Sequence, residues 1–217
     1  MPKSYLRIIM AAALLVCSSM STTAFAQSAG ISNILSQASD NALDKLAQPG
    51  AFYADKAVRI LLPGPLEKAG KLLRLTGKSG LTKDLTKNIN DAASLAATEA
   101  KPVFRKAIDE LSLKDSIDIV KEGDGATRYL RESSKDALTK RIRPLVLKAM
   151  GSAGTFKQLD KLTSIKAIGK LGISNDSMTD HVTKKTLDGI FKYMAAEEAK
   201  VRKNPLKTLG GILGIKK

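Results

Sequence analysis

A carboxylate among apolar neighbours is the first residue of this chain that invites a chemical reading. The segment HVTKKTLDGIFKYMAAEEAKVRKNP, residues 181–205, has helical periodicity, with Leu187, Ile190, Phe191, Met194 and Val201 on one face. A rotation of about 100° per residue puts Glu198 in the middle of that stripe and Glu197 at its edge. A buried carboxylate must find a partner or take up a proton, and Arg59, Arg105 and Arg128 are the candidate partners. Glu198 then either serves a polar site, as ligand-binding group, acid or base, or forms a structural ion pair or lies along the core with its charge in water. A second motif is EGDGATRYL, residues 122–130, with Gly123, Asp124 and Gly125 just before a helix start and Thr127 in its first turn. Free amides at such an end can hold phosphate or sulfate. The same letters also spell a glycine stop followed by an Asp N-cap, and Asp124 would repel an anion.

Other chemistries find little material. His181 is the only histidine, it lies off the apolar stripe, and Asp180 beside it does not make a metal site, so a solvated side chain and no metal are expected. No serine stands in a nucleophile elbow, and no glycine loop has a P-loop or dinucleotide pattern. The chain therefore reads as non-enzymatic and without cofactor.

The elements that must position these groups are helical almost throughout. In AVRILLPGPLEKAGKLLR, residues 57–74, an apolar run interrupted by Arg59 stops at Pro63, Gly64 and Pro65. Pro63 keeps Leu62 extended and Pro65 suits a first helical turn, so this bracket is a rigid extended-to-helix corner. The helix that follows has Leu66, Ala69, Leu72 and Leu73 on one side, with Glu67, Lys71 and Arg74 facing away and Glu67 and Lys71 in favourable i, i+4 order. Helices are also expected at about 32–48, at 81–100 with many alanines, through to Leu111 in a helix that Pro102 opens or kinks, from Ser112 to near Gly123, at 126–131, after a Ser133-Ser134 cap with a bend at Pro144, around Phe156–Leu162, and at 177–203. Residues 164–177 read as a loop. The fold class is all-α, a single compact domain of about eight or nine helices.

The ends and the charge indicate a compartment. Lys3 and Arg7, an apolar stretch from Ile8 to Val16, and Ala24-Phe25-Ala26 form the pattern of a signal peptide cut before Gln27. Lipidation of Cys17 is disfavoured because Val16 is not small. The expected division is a signal peptide at 1–26, an all-α domain at 27–205 and a cationic, glycine-rich apolar tail at 206–217 that lies in a membrane interface, docks back or is disordered. The formal net charge is +15, falling by two with the loss of Lys3 and Arg7. Lys56 to Lys87 holds eight basic residues against two acidic, whereas Asp109 to Asp124 holds six acidic against two basic. Export and the 4% aromatic content argue against nucleic acid. In the periplasm the available polyanions are lipid head groups and glycans.

Several stretches in order, AVRILLPGPLEKAGKLLR, INDAA at 89–93, EAKPVFRKAI at 99–108, LSLKDSIDIVKEGDGATRYLR at 111–131 and the 181–205 segment, resemble the bacterial exported family called domain of unknown function 4197. The resemblance implies a helical, periplasm-targeted domain and no particular reaction. Its matching positions are Arg59, Pro63, Pro65, Arg74, Asn90, Glu99, Thr127, Tyr129, Thr183, Asp188, Gly189, Glu198, Arg202 and Asn204. Two departures are LKTLGGILG after Asn204-Pro205, where an Arg-Thr-Thr type segment is common, and Leu61, where a second proline often stands. From these positions Arg59, Arg74, Asn90, Glu99, Thr127, Tyr129, Asp188, Glu198 and Arg202 make the candidate binding cluster, with Pro63, Gly64 and Pro65 as a structural corner. The expected function is that of an envelope binding or interaction protein whose basic surface meets anionic lipid or another envelope protein, with a small apolar ligand also admitted. The alternatives are an enzyme built on Arg59, Thr127 and Glu198, and a purely structural helical module.

Overall fold

The computed structural model describes residues 20–75, 79–112 and 123–203. Among them lie eight helices and no strand: α1 Met20–Leu46, α2 Ala51–Ala54, α3 Gly64–Leu75, α4 Ser79–Asp109, α5 Gly125–Ser152, α6 Thr155–Thr163, α7 Lys166–Gly169 and α8 Asn175–Lys203. They form one compact helical domain. The apolar stretch Ile8–Val16, Cys17, the segment 113–122 and the tail from Asn204 lie outside the described residues, as do the expectations placed on them. α1 runs through Ala24-Phe25-Ala26, so the expected cut before Gln27 falls within that helix.

The four long helices α1, α4, α5 and α8 close a ring, each packing on the next, with α8 returning to α1. Their apolar stripes converge on one core, in which Leu35, Leu43, Ile89, Phe104, Leu138, Ile142, Ile190 and Met194 are fully enclosed or nearly so. The alanines of α4 do what their size allows. Ala92, Ala93, Ala96, Ala97 and Ala100 are all buried and let neighbouring backbones come close. Phe104 of α4 meets Phe191 of α8 edge to face, ring centres 5.7 Å apart.

One proline expectation and one cap expectation change. Pro102 does not open a separate helix; α4 continues through it, and the residues before and after it share one buried face. Burial on both sides outweighs the missing hydrogen bond. Likewise α5 runs unbroken from Gly125 past Ser133 and Ser134 and through Pro144, and Ser134 is buried within it instead of capping it. α8 begins at Asn175, two residues before the expected start, because Ser174 and Ser177 each accept the other's backbone N–H at 3.1 Å, a reciprocal cap. The expected loop at 164–177 also contains the short helix α7.

The small elements surround the ring. Gly50, at φ 73°, turns the chain from α1 into α2, which packs on α4 and α1. Pro63 offers its carbonyl to Glu67 N–H at 3.0 Å and so opens α3, with Pro65 in the first turn where no N–H is missed. α3 packs on α4 beside Gly70, where a Cβ would meet Thr82 Cγ2 in ordinary contact at 3.4 Å.

Candidate functional site

Glu198 is fully buried, and both carboxylate oxygens are taken. Ala126 N–H donates to Oε1 at 3.1 Å and Thr127 N–H to Oε2 at 2.7 Å. Arg202, one turn on, donates to Oε1 from Nε at 2.8 Å, with its Nη2 2.7 Å away. The N-terminus of α5 therefore does hold an anion, and the anion is the protein's own. Amides that would otherwise be unpaired meet a carboxylate, where the helix dipole also favours negative charge. Asp124 stands at the N-cap position but its side chain makes no capping bond, which corrects the cap expected there. The Glu198 partner is also corrected. Arg59 donates from Nε to the Tyr53 carbonyl at 2.5 Å and lies over the Tyr53 ring, Arg105 pairs with Asp40, and Arg128 is exposed.

Glu197, the neighbouring acid, is buried too and accepts from Lys45 of α1 at 2.5 Å and Lys200 at 2.7 Å. Burial pushes its carboxyl upward, but the hydrogen bonds from Lys200 and Lys45 outweigh this and hold it below the usual range.

A second constellation fixes the extended segment before α3. Asn90, fully buried on α4, accepts from Ile60 N–H and donates to Ile60 C=O, both at 2.8 Å, as a neighbouring strand would. Its amide nitrogen also reaches the Thr86 carbonyl at 2.7 Å. From α8, His181 Nε2 meets the Leu61 carbonyl at 2.8 Å, Lys192 donates to the Ala57 carbonyl at 3.1 Å, and Tyr193 donates to Asp55 at 2.7 Å. His181 is thus half-buried and engaged, not solvated. The Asp55 carboxyl is held low by the Ala57 N–H and the Tyr193 hydroxyl, and the same bond to Asp55 raises Tyr193. Gly189 lets α8 approach: a Cβ there would sit 2.7 Å from Phe52 Cε1.

The third arrangement is open. Between α3 and α4 lies a cleft of about 370 Å³ whose lining includes apolar Leu61, Leu62 and Leu66, Tyr53, and the charged Glu67, Lys71, Arg74 and Lys83. Lys71, Arg74 and Lys83 are exposed and have no ion-pair partner among the described residues; the Glu67–Lys71 pair suggested by their spacing is not formed. Leu61 is 59% exposed, unusual for a leucine beside three cations.

The candidate cluster therefore divides. Thr127, Glu198 and Arg202 come together; Arg59 and Asn90 serve the extended segment; Arg74 borders the cleft. Glu99 pairs with Lys148, Asp188 with Arg131, and Tyr129 donates to the Ser112 carbonyl at 2.6 Å. Tyr53 and Lys83 were not singled out from the sequence, and Lys71 was read only as facing away, although all lie near or within the basic stretch from Lys56 to Lys87. Among the described residues no group of three or more His, Cys, Asp or Glu is placed to hold a metal ion.

The matching family model is described as protein of unknown function (DUF4197) and covers residues 21–214. The chain belongs to this family. Comparison with curated proteins and with solved structures gives no match. For this DUF4197 member, the helical domain expected from the resemblance is the observed fold, and no helix among the described residues is long and apolar enough to cross a membrane.

Proposed function

We propose that the chain is an exported, periplasmic binding protein of the bacterial cell envelope that meets anionic lipid through the face carrying α3. One observation carries this reading: Lys71, Arg74 and Lys83 border a cleft lined by Leu61, Leu62 and Leu66, and none of the three has a carboxylate partner among the described residues. A cation left beside exposed leucines gains from a surface that offers both negative charge and hydrocarbon. Leu61, just before α3, and Leu75, its last residue and 85% exposed, lie near the two ends of the same helix. The enzyme alternative has less support, because Glu198 is enclosed and already fully bonded, and Arg59 is engaged elsewhere.

Sedimentation with phosphatidylglycerol vesicles tests the proposal. Binding is expected at low salt, weakened at high salt as charges are screened, and absent with phosphatidylcholine alone. Equal sedimentation with both lipids, or none with either, would refute it.

A further inference from the structure

The α3–α4 cleft does not end the concave surface of α4. A second hollow, of about 450 Å³, is lined by Ala47, Pro49, Gly50, Lys87, Asp91, Ser94 and Leu95, and Tyr53 borders both. Among the residues that α4 contributes, Lys83, Lys87, Asp91 and Leu95 stand at every fourth position and form one slanted ridge, so the two hollows follow one another along the helix on either side of Tyr53. At 1.5 Å per residue, Thr82 to Leu95 spans ~20 Å.

The two halves differ in charge. The first has three cations without ion-pair partners among the described residues, against one acid, Glu67. In the second, Lys87 and Asp91 neutralise each other at 2.5 Å, and the walls are Ala47, Pro49 and the 45% exposed Leu95. A groove that is cationic at one end and apolar beyond suits a ligand of matching polarity. One leaflet of a bilayer supplies acyl chains of about half the ~30 Å hydrocarbon thickness, which the groove can accommodate. We propose that this groove binds a single-chain anionic amphiphile, its carboxylate or phosphate at Lys71, Arg74 and Lys83 and its chain passing Tyr53 toward Leu95. This rests on the reading of those three cations as anion-holding groups, and adds a pocket for one molecule to a face for a surface.

Calorimetric titration of the purified protein, with each probe below its micelle concentration, provides the test. Palmitate should bind at least tenfold more tightly than octanoate, since the extra methylenes enter the second hollow. Lysophosphatidylglycerol binding as tightly as palmitate would mark the lipid head as an acceptable source of the anion; binding by palmitate alone would assign the free acid. Leu95→Asp, at an exposed position, and Ser94→Leu, which fills the hollow, should abolish the chain-length preference and leave octanoate within twofold. The combined Lys71→Gln, Arg74→Gln, Lys83→Gln variant should weaken both probes equally. Equal affinity for palmitate and octanoate, or a preference that survives Leu95→Asp, overturns the groove. Loss of vesicle binding with the preference intact would sink only the surface reading.

Discussion

Two places in this molecule bring positive charge and an anion-binding geometry together, and they are resolved in opposite ways. At the N-terminus of α5 the anion is internal: Glu198 satisfies two amides and Arg202 and leaves little room for anything else. At the α3–α4 cleft three cations share the lining with apolar residues, and none has a carboxylate partner among the described residues. A closed polar cluster fixes one helix end against another, whereas an open one has free energy left for a partner. The difference suggests looking for function where the charge accounting is incomplete, not where the most unusual residue is buried.

The contrast can be broken most forcefully at Glu198. Glu198→Ala should cost about 4 kcal/mol in urea unfolding, because it removes the buried carboxylate that Arg202 and two helix-end amides share, while leaving vesicle binding of the folded protein unchanged. A well-folded variant that fails to bind lipid would move function to the closed site. Asn90→Ala comes next, at roughly 3 kcal/mol, since the enclosed Ile60 peptide loses both partners; the same denaturation experiment reads it. The open site behaves otherwise. Replacing Lys71, Arg74 and Lys83 by Gln should weaken vesicle binding by about 3 kcal/mol, near 1 kcal/mol for each cation, with thermal stability almost unaffected. A large loss of stability instead would show that these cations belong to the scaffold.

Gly189→Ala sharpens the scaffold side with a smaller effect, about 1–3 kcal/mol by thermal unfolding, as the new methyl meets the enclosed Phe52 ring. The smallest effect concerns pH. The Glu197 carboxyl is depressed in the folded state, so its contribution is present above the ordinary carboxylate range and lost as pH falls through its folded value. Glu197→Gln should therefore flatten the acid side of the stability profile. An unchanged acid limb would remove Glu197 from that role.

Much of this was legible in the residues. Helical periodicity identified the long helices, the placing of Glu198 within an apolar stripe predicted its burial, and Pro63-Gly64-Pro65 described its own corner. Glu198's partner was misread because Arg202, four residues on, was not weighed against distant arginines, and because backbone amides have no letter in the sequence. Pro102 looked like a boundary because local rules cannot see the packing that holds a helix together on both sides of a proline, whereas Pro144 lies inside its helix as its periodicity predicts. Asn90 stood out only through the resemblance; that its amide would imitate a strand for Ile60 depends on two segments thirty residues apart meeting.

The sequence by itself determined that the chain folds as helices, that a single cysteine permits no disulfide within the chain, and that an excess of positive charge must be exposed, because periodicity, composition and charge are carried by single residues and their near neighbours. The tertiary structure alone decided which charges cancel. Glu198 and Glu197 are consumed by Arg202, Lys45 and Lys200, while Lys71, Arg74 and Lys83 are among the cations left without a carboxylate partner in the described residues, because pairing requires atoms within a few ångströms and only the packing of the helices sets those distances.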